Sequence, residues 1–228
     1  MCGISGYISN KDLLVDNNIQ KTLNLMNRRG PDSQNFFKKN YLNKELALLH
    51  SRLNIIDLNE RSNQPYIDND FIIIFNGEIY NYIEIKNRLI SKGYSFETTS
   101  DTEVIIKLFD LEGKNSFKKL SGIFSISIYD TKLKKLYLVR DIVGVKPLYY
   151  HFDINTKKFI FSSLINSILI YLKNKQLNYD ALNSYSNFNR NDFRETFFKN
   201  IFKVLPGELI EVTNANYKRT KFLNFEFN

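Results

Sequence analysis

Two uninterrupted apolar runs constrain the fold of this chain more than any other feature of its sequence. Residues 46–49 are Leu-Ala-Leu-Leu, and residues 71–75 are Phe-Ile-Ile-Ile-Phe. A strand with one face in water alternates apolar and polar side chains, whereas an unbroken run of this kind is typical of a strand covered on both faces. Residues 124–129 alternate apolar side chains with serine, which predicts a half-buried strand.

Further strands and helices surround these segments. We expect Asn76-Gly77 to break the second apolar run, and we expect Asp101 to cap a helix. The other predicted strands are residues 3–9, 136–139, 148–152, 159–161 and 209–212, and the predicted helices are residues 19–28, 82–92, 101–110 and 164–188. Strands in the middle of the chain with helices on both sides indicate an α+β fold, in which two packed sheets lie between helical layers.

The composition excludes several classes of protein. A single cysteine cannot form an internal disulfide framework and fits the reducing cytoplasm, and two isolated histidines, His50 and His151, give little support for a metal site. The sequence contains no apolar run of membrane-spanning length and no signal-peptide pattern. Because the basic residues behind the formal charge of +8 are scattered, we expect a solvated basic surface and neither a nucleic-acid nor a membrane partner.

Cys2 would combine a nucleophile with a base if it became the first residue. It directly follows Met1, which can be removed because cysteine is small. A leading cysteine carries a thiol, whose pKa is normally near ~8.5, and an α-amino group, whose pKa is normally near ~7.7–8.0. The alternative is a second residue without any role, and so short a motif does not decide between the two.

Four further segments carry groups that a thiol attacking an amide would need. Arg52 could hold a carboxylate in its guanidinium fork or could be a surface residue at a strand end. Asn76 and Gly77 could donate to an oxyanion from a side-chain amide and a backbone N–H, or could form a hairpin turn. Asp101 could bind an ammonium group while it caps a helix. Residues 29–32, Arg-Gly-Pro-Asp, either end a helix or form a loop that closes over the site.

Seven motifs occur in the order that one known family has, and together they are specific although each alone is weak. They are Cys2-Gly3-Ile4, Arg29-Gly30-Pro31-Asp32, His50-Ser51-Arg52-Leu53, Asn63-Gln64-Pro65, Phe75-Asn76-Gly77-Glu78-Ile79-Tyr80-Asn81, Ser100-Asp101-Thr102-Glu103 and Gly144-Val145-Lys146-Pro147-Leu148-Tyr149-Tyr150. Over essentially its whole length, the chain resembles the class II glutamine amidotransferase domain of the asparagine synthetase (glutamine-hydrolysing) family.

The resemblance implies a fold and a reaction. The fold would be that of the N-terminal-nucleophile hydrolases, a four-layer αββα sandwich of two antiparallel sheets. Cys2 would be the nucleophile that hydrolyses the side-chain amide of glutamine to glutamate and ammonia, and Asn76 and Gly77 would form the oxyanion hole. The resemblance implies no metal or other cofactor for this step.

The resemblance also implies which residues bind L-glutamine. Arg52 would hold the α-carboxylate of the substrate. Asp101 and the region of Glu78 would hold its α-amino group. Backbone groups around Leu53 and Ile55 would line the pocket.

Members of this family continue into an ATP-pyrophosphatase domain with a Ser-Gly-Gly-x-Asp-Ser loop, which these residues do not contain. We therefore expect the synthetase half, with its ATP and Mg²⁺, to be cut away, encoded separately or lost. We divide the chain into an amidotransferase domain, residues 1–207, and C-terminal strands or linker, residues 208–228. The expected partner is a synthetase domain or subunit that receives the ammonia, and a homodimer is a further expectation.

Two other functions remain open at this point. The chain could be a non-catalytic module that binds glutamine or docks on a synthetase, although the presence of Cys2 together with Asn76 and Arg52 argues against decay. It could also be an N-terminal-cysteine amidase that acts on another amide. Arg52 and Asp101 together favour a substrate that carries both charges of an amino acid.

Overall fold

Two six-stranded antiparallel sheets form the centre of the computed structural model, which describes residues 1–10, 17–41, 44–188, 194–213 and 216–223. In spatial order, the first sheet consists of β10 (Phe202–Lys203), β8 (Tyr149–Asp153), β9 (Lys158–Ser162), β1 (Gly3–Asn10), β3 (Lys44–Arg52) and β2 (Ser33–Tyr41). The second sheet consists of β12 (Tyr217–Lys221), β11 (Glu208–Val212), β7 (Lys135–Arg140), β6 (Gly122–Asp130), β5 (Phe71–Ile79) and β4 (Tyr66–Asp68).

The described residues also form five α-helices, four of which cover the outer faces of the sheets. They are α1 (Asn17–Met26), α2 (Tyr82–Ile90), α3 (Asp101–Glu112), α4 (Ile165–Leu169) and α5 (Tyr179–Phe188), with 3₁₀ helices at Glu60–Ser62 and Gly113–Lys119. Apolar residues of α1 and α4 pack on the outer face of the first sheet, and those of α2 and α3 pack on the second. The order of layers is therefore helix, sheet, sheet, helix, as the α+β prediction requires.

The two apolar runs lie where the sequence predicts them, covered on both faces. Ile72 and Ile74 of β5 pack against residues of the first sheet, whereas Ile73 and Phe75 pack toward the helices outside the second sheet. Because burying one such side chain contributes roughly 1.5–3 kcal/mol, alternation of this run between two apolar layers favours a central position for β5. Residues 46–49 behave in the same way in β3.

Strand pairing brings the N-terminus to the end of β3. In the antiparallel pair of β1 and β3, Gly3 lies opposite Ser51. Cys2 therefore lies beside Arg52 and Leu53, where the chain leaves β3. The neighbouring strand in the second layer is β5, whose C-terminal part carries Asn76.

The break expected at Asn76-Gly77 is wrong, and the alternative of a hairpin turn is wrong too, because β5 continues to Ile79. Asn76 pairs with Ser125, and Gly77 pairs with Phe124. A Cβ atom on Gly77 would lie only 2.1 Å from the carbonyl oxygen of Ile123, so glycine is what allows β6 to approach this closely.

The helix predicted over residues 164–188 is also wrong as one element. It consists of α4 and α5, separated by residues 170–178. The intervening chain makes a β-bridge between Leu177 and Phe198. The side chain of Asn178 then accepts a hydrogen bond from the N–H of Ala181, which starts a new helix instead of continuing the first one.

Other differences concern helix caps and edge strands. The N-cap of α3 is Ser100 and not Asp101, because the Ser100 side chain accepts a hydrogen bond from the N–H of Thr102. The sequence analysis missed β2, β4, β10 and β12, which are short strands or lie at sheet edges with weakly patterned side chains.

The predicted C-terminal stretch, residues 208–228, contributes two strands to the second sheet. Residues Leu209 to Val212 of β11 pair with β7, and β12 follows as an edge strand, so residues 209–212 are not the last strand. Residues 214–215 and 224–228 of this stretch lie outside the described residues. The domain boundary after residue 207 stays a prediction.

Candidate active site

An open cavity of about 190 Å³ lies where the end of β3, the C-terminal half of β5 and the start of α3 meet. It brings together all eight residues that the sequence analysis assigns to a site. These residues are Cys2, Arg52, Leu53, Ile55, Asn76, Gly77, Glu78 and Asp101. Met1 also lines the cavity, and 55% of its surface is exposed.

Cys2 is held at the cavity by its neighbours across β3. The backbone N–H of Leu53 donates to its Sγ at 3.4 Å, and the thiol lies 3.7 Å from the Leu53 carbonyl oxygen. Arg29 Nε donates to the Cys2 carbonyl at 3.0 Å, which fixes the backbone. Burial raises the pKa of the Cys2 thiol, while the Leu53 hydrogen bond and the charge of Arg52 lower it. Because the net shift is upward, the thiol needs a base to become a nucleophile.

The segment Arg29-Gly30-Pro31-Asp32 packs against the end of β3. A Cβ atom on Gly30 would lie 2.2 Å from the carbonyl oxygen of Ser51, so only glycine fits here. Asp32 receives a hydrogen bond at 2.7 Å from the N–H of Asn54. This segment thus ends α1, as one interpretation of the sequence proposed, and it also holds Cys2 through Arg29.

Asn76 places an unpartnered amide in the cavity wall. Its side chain is only 1% exposed, and neither its Oδ1 nor its Nδ2 has a hydrogen-bond partner among the described residues. A buried amide without a partner costs free energy, and because this one lines the cavity, a ligand there could supply the missing partner.

The backbone N–H of Gly77 points away from β6, toward the edge of β5 that β4 leaves unpaired. Gly77 pairs with Phe124 of β6, and both backbone groups of Phe124 point away from β5, toward Asp141. Asp141 N–H donates to the Phe124 carbonyl, and Phe124 N–H donates to Asp141 Oδ2. Because backbone groups alternate along an antiparallel strand, Gly77 N–H points to the same free edge of β5 as the N–H groups of Phe75 and Ile79. Side chains bind those two groups.

Two buried side chains hold β5 beyond the end of β4. The Gln64 amide oxygen accepts a hydrogen bond from Phe75 N–H at 2.6 Å, and its amide nitrogen donates to Thr102 Oγ1 at 3.0 Å. His50 Nε2 lies 3.1 Å from the Phe75 carbonyl oxygen. Burial lowers the pKa of His50 to about 3, so the ring is neutral and donates this bond. Gln64 and His50 thereby fix the residue that precedes Asn76.

Arg52 reaches the cavity with most of its donors already engaged. Its terminal nitrogens donate to the carbonyls of Ile56, Asp57 and Asn59 and, at 2.7 Å, to the side chain of Asn63. The side chain is 5% exposed. Of its five N–H groups, three therefore hold the loop 56–59 and one holds Asn63, and the Nε–H remains for another acceptor.

Asp101 provides a negative charge at the end of the cavity formed by the start of α3. One carboxylate oxygen accepts a hydrogen bond from Ile79 N–H at 3.1 Å. Burial raises the pKa of Asp101 to about 6, against backbone hydrogen bonds that lower it, and the nearby Glu78 carboxylate adds to the rise. Glu78, in the free part of β5, makes this end of the cavity doubly acidic.

Lys146 lines the cavity although the sequence analysis gave it no role. Its side chain is 7% exposed, and its backbone is fixed by the Asp141 carboxylate at 3.1 Å and by Arg140 Nε at 2.7 Å. In the sequence, Lys146 belongs to a motif that supports the family resemblance but indicates no role for this residue. The contacts of Gln64 with β5 and α3 were likewise not deducible, because they join distant parts of the chain.

Within the described residues, no three His, Cys, Asp or Glu side chains come close enough together to bind a metal ion. None of the helices in the described part of the chain is long and apolar enough to cross a membrane.

Comparison with known sequences relates this chain to amidotransferases. The family model for a glutamine amidotransferase domain matches residues 1–223. A Methanocaldococcus jannaschii protein that carries the name of a glutamine-hydrolysing asparagine synthetase is 36% identical over 223 residues, which cover 90% of this chain and 42% of that protein. A glutamine-hydrolysing asparagine synthetase of Bacillus subtilis is 35% identical, over 91% of this chain and 33% of that protein. The chain thus spans less than half the length of these relatives.

Two solved structures share the fold. The first is described as the allosteric regulatory enzyme of purine biosynthesis and has a TM-score of 0.72 at 17% identity, covering 97% of this chain and 49% of the other. The second, the glutamine phosphoribosylpyrophosphate amidotransferase of Bacillus subtilis, has a TM-score of 0.71 at 17% identity over the same shares. They confirm the predicted fold, a sandwich of two antiparallel sheets between helices.

Proposed function

The chain belongs to the glutamine amidotransferase family, and we propose that it hydrolyses the side-chain amide of glutamine to glutamate and ammonia with Cys2 as the nucleophile. One observation carries this proposal: a single cavity holds a thiol, an unpartnered amide and two charged groups of opposite sign. These groups match the reacting amide and the two charges of an amino acid.

We propose that the zwitterion of glutamine lies between Arg52 and Asp101. The α-carboxylate meets the Nε–H of Arg52 and the backbone around Leu53 and Ile55, and the α-ammonium group meets Asp101 and Glu78. A substrate with both charges is favoured because leaving either partner without its counter-charge in a buried site is costly. The side-chain amide then points toward Cys2.

The reaction begins when the α-amino group of Cys2 takes the thiol proton, directly or through a water molecule. Sulfur bonds to the amide carbon, and the oxygen that becomes negative accepts hydrogen bonds from the Asn76 amide and Gly77 N–H. The C–N bond breaks, and the amine returns its proton to the departing ammonia. Water then attacks the thioester and releases glutamate and the free thiol.

This base exists only after Met1 has been removed. With Met1 in place, the nitrogen of Cys2 is an amide and cannot accept the proton. We therefore propose that the active species begins at Cys2. The same removal would clear from the cavity a residue that lines it.

We propose that the ammonia passes to an ATP-dependent, asparagine-synthetase-like domain or subunit. The support is the similarity to proteins named as glutamine-hydrolysing asparagine synthetases, of which this chain covers 42% or less. ATP and Mg²⁺ would belong to that partner, and the glutaminase step would need no cofactor. We place the reaction in the cytoplasm, where a lone thiol stays reduced.

The proposal is tested by measuring the glutamate and ammonia that the wild type and Cys2→Ala form from L-glutamine. We expect equal amounts of both products from the wild type and none above background from Cys2→Ala, because no other nucleophile replaces the thiol. Wild-type protein that binds glutamine without turnover would instead support a non-catalytic binding module. Turnover of another amide in preference to glutamine would support a different amidase.

A further inference from the structure

Asp57 adopts a backbone conformation that is unusual for a residue with a side chain. Its φ is +51°, in the left-handed region, and its side chain is only 4% exposed. Such conformations persist where the surroundings over-determine them, and they cluster at functional sites. Asp57 does not line the cavity, so any role must act through other residues.

The carbonyl group of Asp57 is one of the acceptors that hold Arg52. A terminal nitrogen of Arg52 donates to this oxygen, and the neighbouring carbonyls of Ile56 and Asn59 accept from the same guanidinium. The left-handed residue lies between the two other residues whose carbonyl groups accept from Arg52. The conformation of this residue therefore sets where the guanidinium lies.

The carboxylate of Asp57 points in the other direction, to the loop before α3. One oxygen accepts a hydrogen bond from Thr99 N–H at 2.8 Å, and the other accepts one from Asn59 N–H at 3.1 Å. Arg61 lies 3.6 Å away as an ion-pair partner. Burial raises the pKa of Asp57, but the hydrogen bonds from the N–H groups of Thr99 and Asn59 outweigh it and lower the pKa to about 2, so the group stays charged.

Thr99 lies two residues before Asp101, and Asp101 is the acidic end of the cavity. Asp57 is thus bound through its carbonyl group to the basic end and through its carboxylate to the loop that carries the acidic end. A single residue therefore connects the segments that position Arg52 and Asp101.

We propose that Asp57 is a positioning residue that sets the distance between Arg52 and Asp101 and thereby the selectivity for an α-amino acid amide. This inference rests on the proposed function. Without the carboxylate, the 56–59 loop and the 97–100 loop would move independently, and the two charged ends of the substrate would no longer fit both partners at once. The chemistry at Cys2 would be affected less, because Leu53 and Arg29 hold that residue separately.

Two variants of Asp57 and one control test the inference. Asp57→Gly keeps the left-handed backbone and removes both carboxylate bonds, whereas Asp57→Asn keeps a single acceptor oxygen and also tolerates this conformation. The control is Asp153→Asn. Asp153 likewise accepts hydrogen bonds in a tight turn, from Asn155 N–H and Thr156, but it lies in the β8–β9 hairpin and does not line the cavity.

The measurements are kcat and KM for L-glutamine and for 4-carbamoylbutanoate, which lacks the α-amino group, together with the rate of alkylation of Cys2 by iodoacetamide. For Asp57→Gly we expect the KM for glutamine to rise roughly tenfold or more, in line with the loss of hydrogen bonds to a charged group. Asp57→Asn should show a smaller rise. We expect kcat and the alkylation rate to change less than about threefold, and the preference for glutamine over 4-carbamoylbutanoate to fall.

An unchanged KM for glutamine in both Asp57 variants would overturn the inference. The inference would also be overturned if activity toward both substrates fell equally and in proportion to the loss of thermal stability, because a purely structural role would produce that result. Asp153→Asn should leave both KM values unchanged. If the wild type does not hydrolyse glutamine, the proposed function is overturned and this inference with it. If the wild type hydrolyses glutamine and the Asp57 variants have the same KM values as the wild type, the inference alone is overturned.

Discussion

At the scale of single residues, the site combines groups that are costly to bury with a cavity where a ligand could satisfy them. The Asn76 amide has no partner, and Asp101 has a raised pKa because it is buried. Both features are unfavourable for the protein alone and become favourable when a developing oxyanion or an ammonium group binds them. The proposed chemistry thus uses two residues whose burial is unfavourable for folding.

Removal of the Asn76 amide should affect the chemical step more than folding. For Asn76→Ala we expect kcat to fall by about 10²–10³, the loss typical of one oxyanion donor, with a small change in KM. Stability should be unchanged or higher, because the amide forms no hydrogen bond in this structure. Ser127→Ala is a matched control, since Ser127 is also buried and unpartnered in the second sheet but does not line the cavity. A large loss of kcat in both variants would contradict the assignment.

The pKa of Asp101 predicts an acid limb in the activity profile. Burial raises this pKa to about 6 in the free protein, so the carboxylate loses its charge as the pH falls through 6. Because the substrate ammonium binds the charged form, kcat/KM for glutamine should fall below pH 6 by up to about tenfold per pH unit, while kcat falls less. Asp101→Asn should have a low kcat/KM without this limb. Identical acid limbs in wild type and Asp101→Asn would show that another group titrates.

At the scale of secondary-structure elements, the site depends on side chains that join strands of different sheets. His50 of β3 donates to the carbonyl group of Phe75 in β5, and Gln64 accepts from the N–H of the same residue. The first residue of β4, Tyr66, lies opposite Ile73, so these side chains replace a strand partner next to Asn76. Their burial links the geometry of the site to the packing of the two sheets.

His50 should make stability depend on pH. Its pKa is lowered to about 3 in the folded protein by burial, whereas an unfolded histidine titrates near ~6.5. Between these values the unfolded chain binds more protons, so the free energy of unfolding falls as the pH decreases from 6.5 toward 3, with a slope from this group approaching about 1.4 kcal/mol per pH unit. His50→Gln keeps a donor and cannot titrate there. Urea unfolding from pH 4.5 to 7.5 should show a shallower pH dependence in His50→Gln, and parallel curves would contradict the prediction.

Sequence patterns predicted the elements whose burial is uniform along their length. The runs at residues 46–49 and 71–75 were located because both faces of β3 and β5 are covered. Edge strand β2 was missed because its side chains are neither consistently buried nor alternating. Residues 164–188 were joined into one helix because a break that depends on a bridge to Phe198 leaves no local signal.

The composition of the site was predictable, but its internal contacts were not. Motif resemblance supplied the eight residues that the cavity brings together. It could not show that four N–H groups of Arg52 are engaged by the 56–59 loop and Asn63, that Asp57 joins two loops, or that Lys146 lines the cavity. Each of these features depends on contacts between residues far apart in the chain or on an unusual backbone angle.

At the scale of the whole molecule, the sandwich places the N-terminus and the polar ends of β3 and β5 at one edge of two packed sheets. Neither sheet alone forms the cavity, because Cys2 directly precedes β1 of the first sheet and Asn76 lies in β5 of the second. This arrangement explains how a residue at the very start of the chain can face groups from three distant segments. It also predicts that activity depends on how the chain begins.

The most direct test of the central claim measures glutamine hydrolysis and the intact mass of the same protein samples. Samples with different fractions of chains that retain Met1 should release glutamate at a rate proportional to the fraction that begins with Cys2, and Cys2→Ala should release none. Turnover that is independent of Met1 removal, or that survives in Cys2→Ala, would contradict the claim that a leading cysteine is both nucleophile and base.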